Sequence, residues 1–487
     1  MGIGLRMRCI EQATSLMSRT ISLQLSRIGA PPFQGSVGIV NNAIPSALKR
    51  LGWDIGAVAQ PVAVGMEEAM LPFGRAAALS WHRGQGVAEV ALYDDAGTAA
   101  AVPSRQWAKR NVVLYHGLVH GTGAWISNPE IDLHCANSPY LARVLQALFG
   151  FPDWLNRRCL NSRGLARVTD IRLPLPCVAA PDGSPDLGGM ELPAIVQRQL
   201  DGNLICGHAL QPRKQDWTAT LSILYCLNEL ARKHGSPAIK LLIPDTSLDP
   251  SRRAAYDAFL GQSGYSCADF FIPVPVLNQR ALFRVMRACR FGLAYNIFPE
   301  PFGFYLLESV YNGCPAYTNG VGNNRFLLPP EHGIEVHEYP AMAGSADGAP
   351  EVSVFMDVAR NIYANLTNPS RSRHRCRRGK EIIEQSWSNA SFEASLAAAL
   401  DRLESTHQEP SFDELVVGYS PLVRSLDRRS GQSLNDYGNA VLSAAQISQV
   451  GDLLGRRCGD LDGAKMARLE MQHGLFRRGI LALSLAA

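Results

Sequence analysis

Phe298-Pro299-Glu300-Pro301-Phe302-Gly303-Phe304-Tyr305-Leu306-Leu307-Glu308 decides how the rest of this chain is read. In front of it, Phe291-Gly292-Leu293-Ala294-Tyr295-Asn296 is a short apolar run of the kind that forms a strand buried on both faces. Behind it, Gly313 suits a left-handed helix end, and Pro315 prevents continuation. Pro301 fits a first helical position, because its missing N–H would have no intrahelical partner there. The reading predicts a helix from Pro301 to about Gly313, with Glu300 at its entry and Glu308 two turns in. Eight residues at about 100° each would return both carboxylates to one side. The N–H groups near Phe302, Gly303 and Phe304 would face outward and attract phosphate. Two carboxylates flanking such a helix start suit a ligand with sugar hydroxyls on either side of a diphosphate.

Working outward, 487 residues with 46% hydrophobic and 18% charged residues are ample for two or three globular domains. A net charge of +4 is too small at this length to mark a nucleic-acid partner. The eleven cysteines form no C-x-x-C pair, which reads as free thiols in a reducing compartment rather than a disulfide framework or zinc site. No apolar run reaches membrane-spanning length. Arg6, Arg8, Glu11 and Arg19 interrupt the first twenty residues, so no signal-peptide core is expected. Arg6 also breaks the acylation pattern that Gly2 would open. The expectation is a cytoplasmic protein, either free or peripheral to a membrane.

Taken in order, Ile21 to Ile28 reads as a strand, the Gly29–Gly38 stretch as a loop, Ile39 to Leu51 as a helix and Asp54 to Val58 as a second strand. Gly35 and Gly38 would let backbone N–H groups approach an anion. Asn111 to Tyr115 is a strand whose end carries His116 and, five residues into the loop, His120. Such sheets bind ligands at the carboxyl ends of their strands, which makes both histidines candidates. Asn137-Ser138-Pro139-Tyr140 starts a helix with Ser138 as cap. Proline and glycine from Pro174 to Gly189 mark a linker.

A second unit opens with the strand Asn203 to Cys206 and the loop Gly207-His208-Ala209-Leu210-Gln211-Pro212-Arg213-Lys214, whose basic pair suits a diphosphate. Its helix runs from about Asp216 to Lys233. Asp269 to Pro275 reads as a loop, Asn319 to Asn324 as a polar turn, and 380 to 404 as one long helix around Trp387. Residues beyond His407–Ser411 read as an accessory module of mixed strand and helix, with Arg456, Arg457, Arg477 and Arg478 as a candidate docking face for a partner.

The Glu300–Glu308 block and its flanks resemble the E-x7-E signature of retaining GT-B glycosyltransferases of the family 4 type (glycosyl transferases group 1), and the resemblance spans about 20 to 404. It implies two doubly wound Rossmann-like α/β domains facing a cleft. The boundaries read as a leader at 1–19, an acceptor domain at 20–190, a donor-binding domain at 191–380, a crossover helix at 381–408 and an accessory region at 409–487. The chain would transfer a sugar from a nucleotide-diphosphate donor, UDP-linked or GDP-linked with UDP favoured, to an acceptor of unspecified class with retention. Glu300 would meet the sugar and Glu308 the ribose. Spacing leaves His116 and His120 as alternatives for the residue near the donor sugar.

In the loop that resembles the family's G-R-x-x-x-x-K, His208 stands where Arg is usual and Arg213 falls on the Lys, with Lys214 one residue on. The imidazole of His208 is therefore expected to face the diphosphate. Ile272 and Val274 match the segment beside the nucleobase, and Gly35 and Gly38 the first Gly-rich loop. Fixed cations would replace a metal ion, so no cofactor is expected. A sugar-nucleotide epimerase and a non-catalytic sugar-nucleotide binder of the same fold are the competing readings.

Overall fold

The computed structural model describes residues 19–26, 35–59, 87–95, 103–106, 108–117, 128, 130–147, 167–179, 205–211, 214–247, 250–261, 264–275, 277, 279–338, 352–404, 412–421, 423–427, 432–435, 444–476 and 480–485. His120, Arg213, Arg477, Arg478 and residues 1–18 of the expected leader lie outside them.

Two parallel six-stranded sheets carry the fold. The first contains β1 (Arg19–Gln24), β2 (Trp53–Ala59), β3 (Ala88–Asp94), β4 (Ala108–Tyr115), β5 (Leu133–Ala136) and β6 (Val168–Asp170), in the order β2-β1-β3-β4-β5-β6. The second contains β7 (Ile205–His208), β8 (Ile239–Pro244), β9 (Phe271–Val274), β10 (Phe291–Ala294), β11 (Ala316–Thr318) and β12 (Ile334–Val336), in the order β12-β11-β10-β7-β8-β9. Both orders are doubly wound, and in each the direction of winding reverses once. The reversals fall between β1 and β3 and between β7 and β10. Ligands of such sheets lie outside the carboxyl ends of the strands at these points.

The strands read as near-continuous apolar runs because both faces of each sheet are covered. Val112 and Leu114 enter one core and Val113 and Tyr115 another. The largest core is continuous across both units: Ile21, Leu92 and Leu114 join Leu306, Leu307 and Ile334 through Leu175, Ile383 and Phe392. Pro174 and Pro176, expected as linker, belong to this packed segment, since Leu173, Leu175 and Cys177 are buried.

The single helix expected at 380–404 is two, Pro369–Ser386 and Asn389–Asp401. Ser388 caps the second by accepting from Ser391 N at 3.2 Å, which ends the first at Trp387. The second helix lies on the first unit: Arg172 N donates to Ser395 Oγ at 2.9 Å, and Arg50 pairs with Glu393. The helix expected at Ile39 to Leu51 starts at Gly35, so Gly35 and Gly38 sit in its opening turn and not in a loop.

Beyond 411, β13 (Leu415–Tyr419) pairs antiparallel with β16 (Leu481–Leu485), and β14 (Val423–Asp427) with β15 (Gln432–Asn435). With the helices Ala444–Gly451 and Gly463–His473 they enclose a separate core of Leu415, Val417, Val450, Leu469 and Phe476. Arg325 Nη2 donates to Pro421 O at 2.7 Å and ties this region to the second unit. Among the described residues no helix is long and apolar enough to cross a membrane.

Candidate functional site

The Glu308 helix starts at Phe304, three residues later than the sequence predicts, and runs to Tyr311. Gly303 is its cap, with φ 104, in the left-handed region that side-chain-bearing residues avoid. A Cβ there would lie 2.7 Å from Asn324 Oδ1 and from Leu327 Cδ1. The segment before it is pulled out of helical form by the loop after β11. Asn323 N donates to Glu300 O at 2.7 Å, and Asn323 Nδ2 to Phe302 O at 2.6 Å. Glu300 thus bridges to Gly322, whose φ of 74 and lack of a side chain let the two backbones touch. The two glutamates do not share a helix. They are set by different partners around the helix start.

Glu300 is 7% exposed, and Lys214 Nζ donates to its Oε2 at 2.5 Å. Lys214 comes from the loop after β7, and its carbonyl accepts from Ile297 N at 2.8 Å, so the β7 and β10 loops are joined at the winding reversal. Glu308 is 5% exposed, and its Oε1 accepts from Gln279 Nε2 at 3.1 Å. Burial pushes its carboxyl up to about 8, and the Gln279 bond opposes this only partly. Ahead of the first intrahelical bond, Leu306 N to Gly303 O at 3.2 Å, the N–H groups of Phe304 and Tyr305 open the helix.

His208, expected in the loop, is the last residue of β7, and its ring does not face the crevice. It is fully buried, with Nδ1 on the Tyr305 hydroxyl and Nε2 3.1 Å from Ser309 Oγ. Burial lowers its pKa to about 3, the opposite of the rise expected beside a diphosphate. Lys214 is therefore the described basic side chain at this loop that reaches Glu300. Ile272 and Val274 also differ from expectation: they lie in β9, not in a loop, with side chains buried beside Cys206, Leu242 and Val285. Phe302 is buried at 4% beside Phe304, with ring centroids 4.5 Å apart.

Across the cleft, His116 follows β4. Its N–H donates to Asp95 Oδ1 at 2.6 Å, and Nε2 lies 3.0 Å from Asn41 Oδ1. Ser138 Oγ caps Leu141 N at 3.1 Å and donates to Pro301 O at 2.6 Å. Gly117 is equally close, since a Cβ there would lie 3.2 Å from Pro301 Cγ. The carboxyl ends of the two sheets therefore meet at the Glu300–Gly303 loop. Phe326, just after Asn324, stacks on Tyr140 of the first unit at 5.9 Å.

The chain has the GT-B fold. A sucrose-phosphate synthase from Thermosynechococcus elongatus matches it with TM-score 0.51 and 14% identity, over 80% of this chain and 100% of its own. A UDP-forming α,α-trehalose-phosphate synthase from Burkholderia xenovorans gives 0.52 and 9%, again over 80% and 100%. Anabaena HepE, solved with UDP and glucose, gives 0.50 and 13% over 79% and 100%. No family model and no curated protein matches the sequence. At these identities the likeness speaks to the fold.

Gln279, Tyr305 and Ser309 join the site without having been singled out. Gly322 and Asn323 belong to the Asn319 to Asn324 turn, which its glycines and asparagines mark in the sequence. Gln279 carries no such signal. Among the described residues, no three His, Cys, Asp or Glu side chains group so as to hold a metal ion.

Proposed function

We propose that this protein is a glycosyltransferase that takes its sugar from a nucleotide-diphosphate donor, UDP-linked in the first instance, and transfers it with retention to a hydroxyl-bearing acceptor. The observation that carries this reading is the pairing of Glu300 with Lys214 at the β7–β10 reversal, one short helix away from the buried Glu308. Ribose hydroxyls would donate to Glu308. Sugar hydroxyls would donate to Glu300, whose second oxygen is not used by Lys214. The diphosphate would rest on the helix N-terminus, where N–H groups and the helix dipole favour negative charge.

The chemistry follows from that placement. As the glycosidic C–O bond breaks, negative charge builds on the leaving diphosphate. Lys214 and the helix N–H groups, with Arg213 assigned to the same role, stabilise that charge more than they stabilise the intact donor. The acceptor hydroxyl attacks from the face that the diphosphate leaves, and its proton passes to a leaving phosphate oxygen. Bond order and protons balance without a protein nucleophile. The cations supply the charge that a metal ion would otherwise bring. His116, or His120 in its place, would meet the donor sugar from the first unit.

Turnover of UDP-[14C]glucose, with and without a panel of monosaccharide and glycan acceptors, tests the proposal. Labelled transfer product that keeps the α configuration is expected. Conversion of the sugar without any acceptor would instead identify an epimerase, and binding with no product a non-catalytic relative.

A further inference from the structure

The pair His208 and Tyr305 is unused by the chemistry above, yet both side chains are buried among the loops that carry it. The hydrogen bonds around them have a direction that can be worked out. Ser309 Oγ has one proton, and it donates to Cys314 O at 2.9 Å. Ser309 must therefore accept from His208 at the 3.1 Å contact, so His208 Nε2 carries a proton. The ring is neutral, because burial holds its pKa near 3, so Nδ1 is a bare lone pair. Tyr305 O–H must then donate to Nδ1. The Tyr305 oxygen, with its own proton spent, accepts from Leu210 N at 2.9 Å. Each donor is used once and each acceptor is matched.

We infer that His208 and Tyr305 are positioning residues: a one-way relay, Leu210 N–H to Tyr305 to His208 to Ser309 to Cys314 O, fixes the loop carrying Lys214 against the Glu308 helix. Its two ends are the second residue after β7 and the turn that closes the helix. His208 is 0%, Tyr305 6% and Ser309 0% exposed, so an unmade bond here has no water to replace it. The packing leaves little slack, since a Cβ on Gly292 would press on the His208 ring and lie 2.9 Å from Ser309 Oγ. A histidine at the phosphate loop thus acts as a rigid neutral connector, and the loop's charge is left to the residues beyond it. The loop's role in donor binding rests on the function proposed above; the relay itself does not.

Long-range 1H–15N NMR on the histidine-labelled full chain, with His208 assigned from the His208→Asn spectrum, reads the relay without ligand. The expected state is neutral and Nε2-protonated, with no titration from pH 5 to 8. An Nδ1-protonated ring, or one titrating near the ordinary value of about 6.5, would overturn it.

Tyr305→Phe cuts the bond to Leu210. It is expected to speed Leu210 amide exchange and weaken UDP binding at least tenfold by calorimetry. Ser309→Ala cuts the far end and should weaken UDP binding less than Tyr305→Phe does, even where both variants melt earlier. His208→Asn, which keeps an acceptor where Nδ1 stood, should also lose less than Tyr305→Phe. If Tyr305→Phe binds UDP like the wild type, or Ser309→Ala and His208→Asn lose as much as it does, the residues are only core packing. If Tyr305→Phe does not fold, an Nδ1-protonated His208 in the wild type overturns the assignment by itself. If the wild type fails to bind UDP, the donor reading falls. The NMR state and Leu210 exchange then still decide the relay.

Discussion

Donor affinity should rise with pH, and Glu308 is the reason. In the free protein its carboxyl is pushed up to about 8 by burial, so below that pH it is mostly protonated. A ribose that donates two O–H groups is held best by the ionised form, so binding must release the proton. The sign follows directly: in the window from pH 6 to pH 8, below the raised pKa, each step toward pH 8 lowers the cost of that release. With a free pKa of about 8, linkage gives an affinity gain of about fiftyfold from pH 6 to 8 and a release of about 0.9 proton at pH 7. His208 cannot oppose this, since its pKa lies near 3 and it stays neutral throughout. UDP-glucose is the ligand of choice, because its phosphates are both esterified and do not titrate in this range. Calorimetry at pH 7 in two buffers of different ionisation enthalpy counts the proton, and titrations at both pH limits give the affinities. In Glu308→Gln the slope and the proton release should vanish. Affinity that falls toward pH 8, or a slope that persists in Glu308→Gln, would refute the reasoning.

The same group should be visible in folding. Its folded pKa lies above the ordinary 4.5, so its contribution to stability is full below that value and is lost as pH rises through about 8. Glu308→Gln should therefore melt higher than the wild type at pH 8 and show no such gain at pH 4, by thermal denaturation at both. Lys214→Ala leaves Glu300 without its cation and should lower kcat by about 100-fold or more, the scale of one lost oxyanion donor; a loss below tenfold would remove Lys214 from the site. Gly322→Ala forces a Cβ into the Glu300 backbone at a positive φ, so turnover should collapse while circular dichroism stays native. EDTA should leave the wild-type rate unchanged, and a rate that returns only with added Mg²⁺ would contradict the role given to the cations.

What the sequence disclosed divides by the range of the interactions involved. The strand before Glu300 and the end of the Glu308 helix, at Tyr311 two residues short of the left-handed Gly313, were legible because apolar runs and turn residues act locally. The start of that helix was not, because Asn323, some twenty residues on, holds Glu300 and Phe302 in an extended path. The direction of His208 was hidden for the same reason on a larger scale: its partners lie 97 and 101 residues away. Pro273 and Pro275 made β9 look like a loop. The strand tolerates Pro273 because it is an edge of its sheet, where a missing N–H costs no ladder bond on the outer side. His120, the other histidine read as a candidate for the donor sugar, lies outside the described residues.

A crystal structure with UDP soaked or co-crystallised tests the central claim most directly. The account predicts both ribose hydroxyls within about 3 Å of the Glu308 carboxylate. It also predicts the diphosphate on the helix N-terminus near Phe304, within reach of Lys214. UDP bound elsewhere, or a ribose turned away from Glu308, would contradict it.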